Sequence, residues 1–163
     1  MIEFRIAQPN EFLRVAELKK QIHADHVRNA LDFYRDVEEP LTAEEYNACL
    51  DPSSRRCAYV LADGGWIVAY AFTQVLEFQN HSFIHDHKQL FLDDLCVDEA
   101  LRGRGYGKRL MQEIASLAKE SGCRTVELNV WDWNRNAVAF YKVLGLSFTR
   151  LRMKRDLRVL GIE

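Results

Sequence analysis

Between Leu101 and Leu110 the chain reads LRGRGYGKRL, three glycines interleaved with Arg102, Arg104, Tyr106, Lys108 and Arg109. A β-rich run ends just before this stretch, and an amphipathic helical pattern begins inside it. Such a junction gathers unpaired backbone N–H groups and the positive end of a helix dipole. Gly103, Gly105 and Gly107 leave that backbone bare for close approach and permit positive φ. The chemistry this suits is recognition of an anion with several phosphates. The dinucleotide fingerprint GxGxxG fails: its last glycine falls on Lys108 counted from Gly103, and on Leu110 counted from Gly105. The Walker A pattern fails too, because Arg102 stands where its first glycine belongs and Arg109 where its Ser or Thr belongs. What remains is Arg102-x-x-Gly105-x-Gly107.

Two further stretches carry residues that could do chemistry. Upstream, LFLDDLCV places Asp93 and Asp94 on a strand. Strict alternation sends consecutive side chains to opposite faces, so the two are not expected to act as a facing pair. Downstream, WNRNAVAFYKVLGLSF places Asn134, Ala137, Tyr141 and Gly145 at helical spacings, and Asn134 suits an N-cap. His81, His85 and His87 crowd one polar loop, but no Cys, His or carboxylate group nearby has metal-site spacing, so no metal is expected. The four cysteines, Cys49, Cys57, Cys96 and Cys123, form no CxxC pair and sit among apolar neighbours. They are expected to be buried thiols in a reducing compartment.

An Arg/Gln-x-x-Gly-x-Gly/Ala sequence after a strand and opening a helix is similar to the acetyl-CoA pyrophosphate motif of the GNAT N-acetyltransferase superfamily. The downstream stretch resembles that family's Asn-x-x-Ala-x-x-x-Tyr-x-x-x-Gly signature, with Asn134, Ala137, Tyr141 and Gly145 in register. The element order resembles the family over nearly the whole chain, while the specific residues lie in its C-terminal half. LFLDDLCVDEALRGRGYG and VWDWNRNAVAFYK look most like the diamine (spermidine/spermine) acetyltransferase branch, which has an acidic pair in the same strand and a Trp-Asn before the final helix.

The resemblance implies an α/β GNAT acyl-CoA N-acyltransferase fold: a mixed, mostly antiparallel sheet, splayed at its centre and flanked by helices. It implies transfer of an acetyl group from acetyl-CoA directly to a primary amine, with a small polyamine-like or amino-acid-like molecule as acceptor. A protein or peptide N-acetyltransferase and a catalytically silent CoA-binding sensor are the alternatives. Backbone groups of Leu95, Cys96 and Val97 would hold the pantetheine arm as an added strand does, one N–H there facing the thioester oxygen. Arg102, Gly103, Arg104, Gly105, Tyr106, Gly107 and Lys108 would surround the phosphates; Asn134 and Asn136 would hold pantetheine. The acceptor must lose a proton, since a free alkylamine has a pKa near about 10. Asp93 is the matching strand carboxylate, acting through water or by attracting the amine. Tyr141 matches the general acid that protonates the leaving sulfur. A phenol near about 10 is weak toward a thiol near about 8.5, so its site must tune it. Cys96 is expected to pack rather than attack. Many members of the family are homodimers, and a homodimer is expected on that ground alone.

These residues need a scaffold. IEFRIA alternates as a first strand, and Pro9 opens a helix with Phe12, Val15, Leu18 and Ile22 on one face. Residues 29–41 read as a long acidic and aromatic loop. Thr42 with Glu45 makes a capping box for a second, short helix. CAYVLA and WIVAYAFTQVLEF are strands joined by Asp63-Gly64-Gly65, a hairpin signal. QLFLDDLCV follows as a strand, then a helix from about Gly105 to Ser121 closed by Gly122. RTVELNVW is a strand, NRNAVAFYKVL a short helix closed by Gly145, and LSFTRLRMKRDL strand-like. The order βααβββαβαβ predicts an antiparallel part followed by a parallel pair. At 163 residues and 48% hydrophobic, the chain suits one domain spanning 1–163. A net charge of -2 argues against a nucleic-acid partner. No apolar run reaches the roughly 18 residues of a membrane span, and the N-terminus lacks a signal-peptide layout. A cytoplasmic protein with no membrane partner is expected.

Overall fold

The turn at Gly64 and Gly65 organises the sheet. Their φ angles of +59° and +84° give the left-handed pair that matches strand twist in a two-residue hairpin. It joins β2 (Arg56–Asp63) to β3 (Trp66–Phe78). With β1 (Ile2–Ile6), β4 (His87–Val97) and β5 (Thr125–Leu128) they form one five-stranded sheet in the order β1-β2-β3-β4-β5. The first three pairings are antiparallel and the last, β4 with β5, is parallel. The structure is a computed structural model that describes residues 1–157. All of the sheet lies in one compact unit, Met1–Asn129; a second unit begins at Val130.

Cross-strand partners share a face, and the rows Ala58–Phe72–Asp94 and Val60–Tyr70–Cys96 define the face that receives α1 (Phe12–Asn29) and α2 (Ala43–Ala48). Val15 and Leu18 of α1 and Tyr46 of α2 complete this core with Ala58, Val60, Tyr70, Phe72 and Cys96. The capping box at Thr42 and Glu45 forms as the sequence indicates. On the opposite face, α3 (Tyr106–Glu120) packs over β3, β4 and β5 and buries Leu110, Met111, Ile114 and Ala118. Arg14 pins α1 to the sheet: its Nε donates to the Ile67 carbonyl at 3.1 Å, its guanidinium pairs with Asp98, and it lies over the Trp66 ring.

In the second unit, α4 (Arg135–Val143) is capped by Asn134, whose side chain accepts from the Ala137 N–H at 3.1 Å. It ends at Gly145, with the Leu146 N–H donating back to the Tyr141 carbonyl at 3.0 Å. Two expectations change. The strand read over 124–131 is paired only at Thr125–Leu128. The strand-like run 146–157 forms no strand, and its Phe148, Leu151 and Met153 are exposed. Alternation supplies a pleated face, but a strand also needs a ladder partner, and none forms with it among the described residues.

The core makes a direct prediction. Leu18 is fully buried and Leu13, on the same helix, is 79% exposed. Leu18→Ala should cost about 2–5 kcal/mol and Leu13→Ala less than about 0.5 kcal/mol, both read from urea midpoints. Equal losses would contradict the assigned face of α1.

Candidate functional site

The acidic pair sits at a break in the sheet. Thr73 pairs with Leu92 and Phe72 with Asp94, so Asp93 is an extra residue on β4 with no partner on β3. This is a β-bulge, which re-aims side chains and increases local twist. On the other edge of β4, pairing with β5 runs from Gln89↔Thr125 to Leu92↔Leu128 and stops. Beyond Leu92, residues 93–97 have no ladder partner on that side among the described residues.

The bulge removes the unbroken alternation on which the expectation that Asp93 and Asp94 face opposite ways rested. Asp94 points to α1: its Oδ2 accepts from Lys19 Nζ at 2.6 Å and from the hydroxyl of fully buried Tyr70 at 2.7 Å. Asp93 feels the same Lys19 and the Asp94 charge itself. Part of Asp93 is open to solvent, yet its carboxyl is raised, first by lost hydration and then by Asp94, against the opposing pull of Arg56 and Lys19. The partners Lys19 and Tyr70 were not legible as site residues. One reads as a solvated helix position and the other as one aromatic in a β-rich run. His26 of α1 shares this surround; burial lowers its imidazole against the pull of Asp94, and its ring stacks on Tyr34 of the acidic loop at 4.9 Å.

Leu95, Cys96 and Val97 continue this half-free segment. Cys96 is buried, its Sγ donates to the Leu18 carbonyl at 3.3 Å, and burial pushes its thiol up to about 12. That is a packing cysteine, as its neighbours indicate, not a thiolate. Cys49 is also buried, while Cys57 and Cys123 are only half-buried. The Val97 carbonyl accepts from Arg102 Nε at 3.2 Å, which ties the glycine loop to the strand end. Arg102 also lies 3.9 Å from Asp25 of α1.

Gly103 and Gly105 take φ of +78° and +87°, and a Cβ added at either would meet nothing within 4 Å. Backbone conformation, not crowding, requires glycine here. Gly105 is the N-cap of α3, and no side chain caps that helix. The N–H groups of its first turn, Tyr106, Gly107 and Lys108 among them, therefore have no intrahelical acceptor. Arg104 and Lys108 are exposed around them. Tyr106 instead anchors the loop, donating its hydroxyl to Asp63 at 2.8 Å. The loop thus fits a polyphosphate on its own geometry: a bare, left-handed backbone, an uncapped helix start and flanking cations. In the second unit Asn134 caps α4, Asn136 is exposed and Tyr141 is half-buried. Among the described residues no group of three or more His, Cys, Asp or Glu gathers as metal ligands. No helix there is long and apolar enough to cross a membrane.

The half-unpaired end of β4 and the uncapped glycine loop at the start of α3 lie next to one another along the chain. The chain belongs to the acetyltransferase (GNAT) family, whose model matches residues 20–146. A thialysine N-epsilon-acetyltransferase of Sus scrofa is 38% identical over 58 residues, which is 36% of this chain and 34% of that protein. The match therefore spans about a third of that relative's own length. The spermine/spermidine N(1)-acetyltransferase of Bacillus subtilis (strain 168) is 24% identical over 134 residues, 79% of this chain and 86% of that one. A solved structure of a mutant BH1408 protein from Bacillus halodurans superposes with a TM-score of 0.91 at 29% identity, covering 95% of this chain and 99% of that one.

The raised carboxyl of Asp93 has a stability consequence. An acid held above its ordinary value of 3.8 costs the folded state nothing when both states are protonated. As pH rises through that value the unfolded chain ionises first, and the cost is complete above the folded-state pKa. Asp93→Asn should therefore raise the urea midpoint at neutral pH, with the gain shrinking as pH falls toward the ordinary Asp range. A gain independent of pH, or a loss at neutral pH, would contradict this electrostatic cost.

Proposed function

We propose that this protein is an acetyl-CoA-dependent N-acetyltransferase that acetylates the primary amine of a small molecule by direct attack. One observation carries the reading: the half-unpaired segment 93–97 of β4 leads, through the Arg102–Val97 tie, into the uncapped glycine loop at the start of α3. A strand with a free edge suits a pantetheine arm, which pairs like an added strand. The loop suits the pyrophosphate.

Each role follows from chemistry. Backbone groups of Leu95, Cys96 and Val97 line the arm, and an N–H there stabilises the oxyanion of the tetrahedral intermediate. Gly103, Gly105, Gly107 and Lys108 offer N–H groups to phosphate, with Arg102 and Arg104 as flanking cations. Asp93, whose carboxyl is raised, is suited to attract the acceptor ammonium and to take its proton through water. The neutral amine nitrogen then bonds to the thioester carbon, the C–S bond breaks, and the sulfur leaves with a proton from the Tyr141 phenol; the nitrogen's surplus proton passes to water, and solvent reprotonates the phenolate. The role of Tyr141 and that of Asn134 and Asn136 beside pantetheine rest on the motif register. Asn134 also has the capping task that its geometry shows. The family match runs across the boundary between the two units, which supports their working as one domain over 1–163. Relatives named for thialysine and for spermine or spermidine support a small amine acceptor. Cytoplasmic location and a homodimer belong to the same proposal on family resemblance.

Two variants test it. Tyr141→Phe should lower kcat by at least about a hundredfold while acetyl-CoA affinity, read by calorimetry, stays close to the parent's. Gly105→Glu places a β-carbon at φ +87° and a negative charge where phosphate would lie; acetyl-CoA binding should be lost. Parent-like turnover in the first or parent-like binding in the second would remove that residue from the site.

A further inference from the structure

β1 ends the sheet with an open edge. It pairs with β2, and among the described residues nothing pairs with its outer side. The ladder shows which main-chain groups this leaves open. The Ala7 N–H donates to the Ala58 carbonyl at 2.9 Å, and the Met1 carbonyl accepts from the Gly64 N–H at 3.3 Å. Odd-numbered residues therefore turn their main chain toward β2. The register from Ile2 to Ile6 is unshifted, so Ile2, Phe4 and Ile6 turn their N–H and C=O groups outward. The Ile6 carbonyl accepts from Arg5 Nη1 at 3.2 Å and keeps a second lone pair.

Edge strands are commonly blunted by lysine, proline or a bulge, and IEFRI has none of these. Its even-numbered side chains make an apolar strip. Ile2 is 45% exposed and Ile6 55%, and Phe4 between them stacks on Tyr59 with 5.1 Å between ring centres. At Ile6 the strip runs on into a cavity lined also by Leu50, Cys57 and Val75. The two charges, Glu3 and Arg5, share the other face and have opposite sign.

The order apolar, acidic, apolar, basic, apolar reads backwards as itself with the signs exchanged. A second copy laid antiparallel, with Phe4 on the twofold axis, sets Ile2 beside the partner's Ile6 and Glu3 beside the partner's Arg5. The outward-facing residues then become hydrogen-bonded pairs. Glu3 and the partner's Arg5 form the non-hydrogen-bonded kind, whose side chains lie closer. An axis on Glu3 would oppose two carboxylates, and an axis on Arg5 two guanidiniums; like charges directly opposite are destabilising. Arg5 is held by Glu11 at 2.6 Å and lies 3.6 Å from its own Glu3. Charge therefore selects the register, while main-chain hydrogen bonds and the apolar strip supply the attraction.

We infer that the outer edge of β1 is an interface for a second copy of this chain, the two sheets joining by antiparallel β1–β1 pairing centred on Phe4. The homodimer proposed above has family resemblance as its ground; this inference names its surface from the chain's own edge and does not need the acetyltransferase reading.

Sedimentation velocity of the full chain tests it. The parent should be a dimer at about 100 µM and dissociate on dilution, as suits a contact at the small end of specific interfaces. Ile2→Pro removes an outward N–H at the first position of the strand and no bond to β2. Glu3→Arg sets an arginine against the partner's Arg5. Each should raise the dimer dissociation constant by about tenfold or more, and the loss in Glu3→Arg should shrink as salt is raised. Leu13→Lys, on the exposed side of α1, should leave the constant unchanged. Urea midpoints at about 1 µM, where the parent is monomeric, should match the parent's and show that each variant folds. A dimer left intact by folded Ile2→Pro and Glu3→Arg overturns the inference. A parent still monomeric at about 100 µM overturns it together with the homodimer. Neither result bears on acetyl-CoA binding, which calorimetry reads separately.

Discussion

The extra residue at Asp93 is the constraint on which the site depends. Leu92 is the last β4 residue paired with β5, and it is also the last before the register with β3 shifts. One bulge therefore accounts for both events. A bulge bends its strand and increases its twist, so the strand leaves its parallel neighbour where it gains its unpaired residue. Backbone freed in this way would be costly in a closed core. At an open edge it becomes a surface on which another extended chain can pair.

The remainder of the first unit holds that half-free strand in place. α1 contacts it and the turn that follows: Lys19 on Asp94, the Leu18 carbonyl on Cys96, Arg14 on Asp98, and Gln21 accepting from the Glu99 N–H at 2.9 Å. The Tyr70 hydroxyl reaches Asp94 from the neighbouring strand. The loop beyond is tied back by Arg102 to Val97 and by Tyr106 to Asp63. The glycines supply the conformations, and these side chains supply the fixed frame. Asp93 carries a carboxyl raised against this background by lost hydration and by the Asp94 charge.

Much of this was legible in the sequence, and the reasons differ by feature. Local chemistry read well. The Gly64–Gly65 turn, the Thr42–Glu45 capping box, the Asn134 cap and the Gly122 and Gly145 stops each depend on a few adjacent residues. The glycine turn that opens α3 was legible because it too is local. Features that depend on pairing across the chain were not. The bulge leaves no mark in LFLDDLCV, so alternation assigned Asp93 and Asp94 to opposite faces. The run from Leu146 has the pattern of a strand and lacks the partner. Lys19 looked like one more charged helix residue until β4 was placed beneath it.

The central claim is that acetyl-CoA lies along the free edge of β4 and against the first turn of α3. Amide hydrogen exchange with and without acetyl-CoA tests it most directly. Residues 95–97 of β4 and 103–108 of the loop and helix start should gain protection together when acetyl-CoA is added, while β1 and β2 change little. Protection confined to another part of the chain, or none at either segment under saturating acetyl-CoA, would contradict the account.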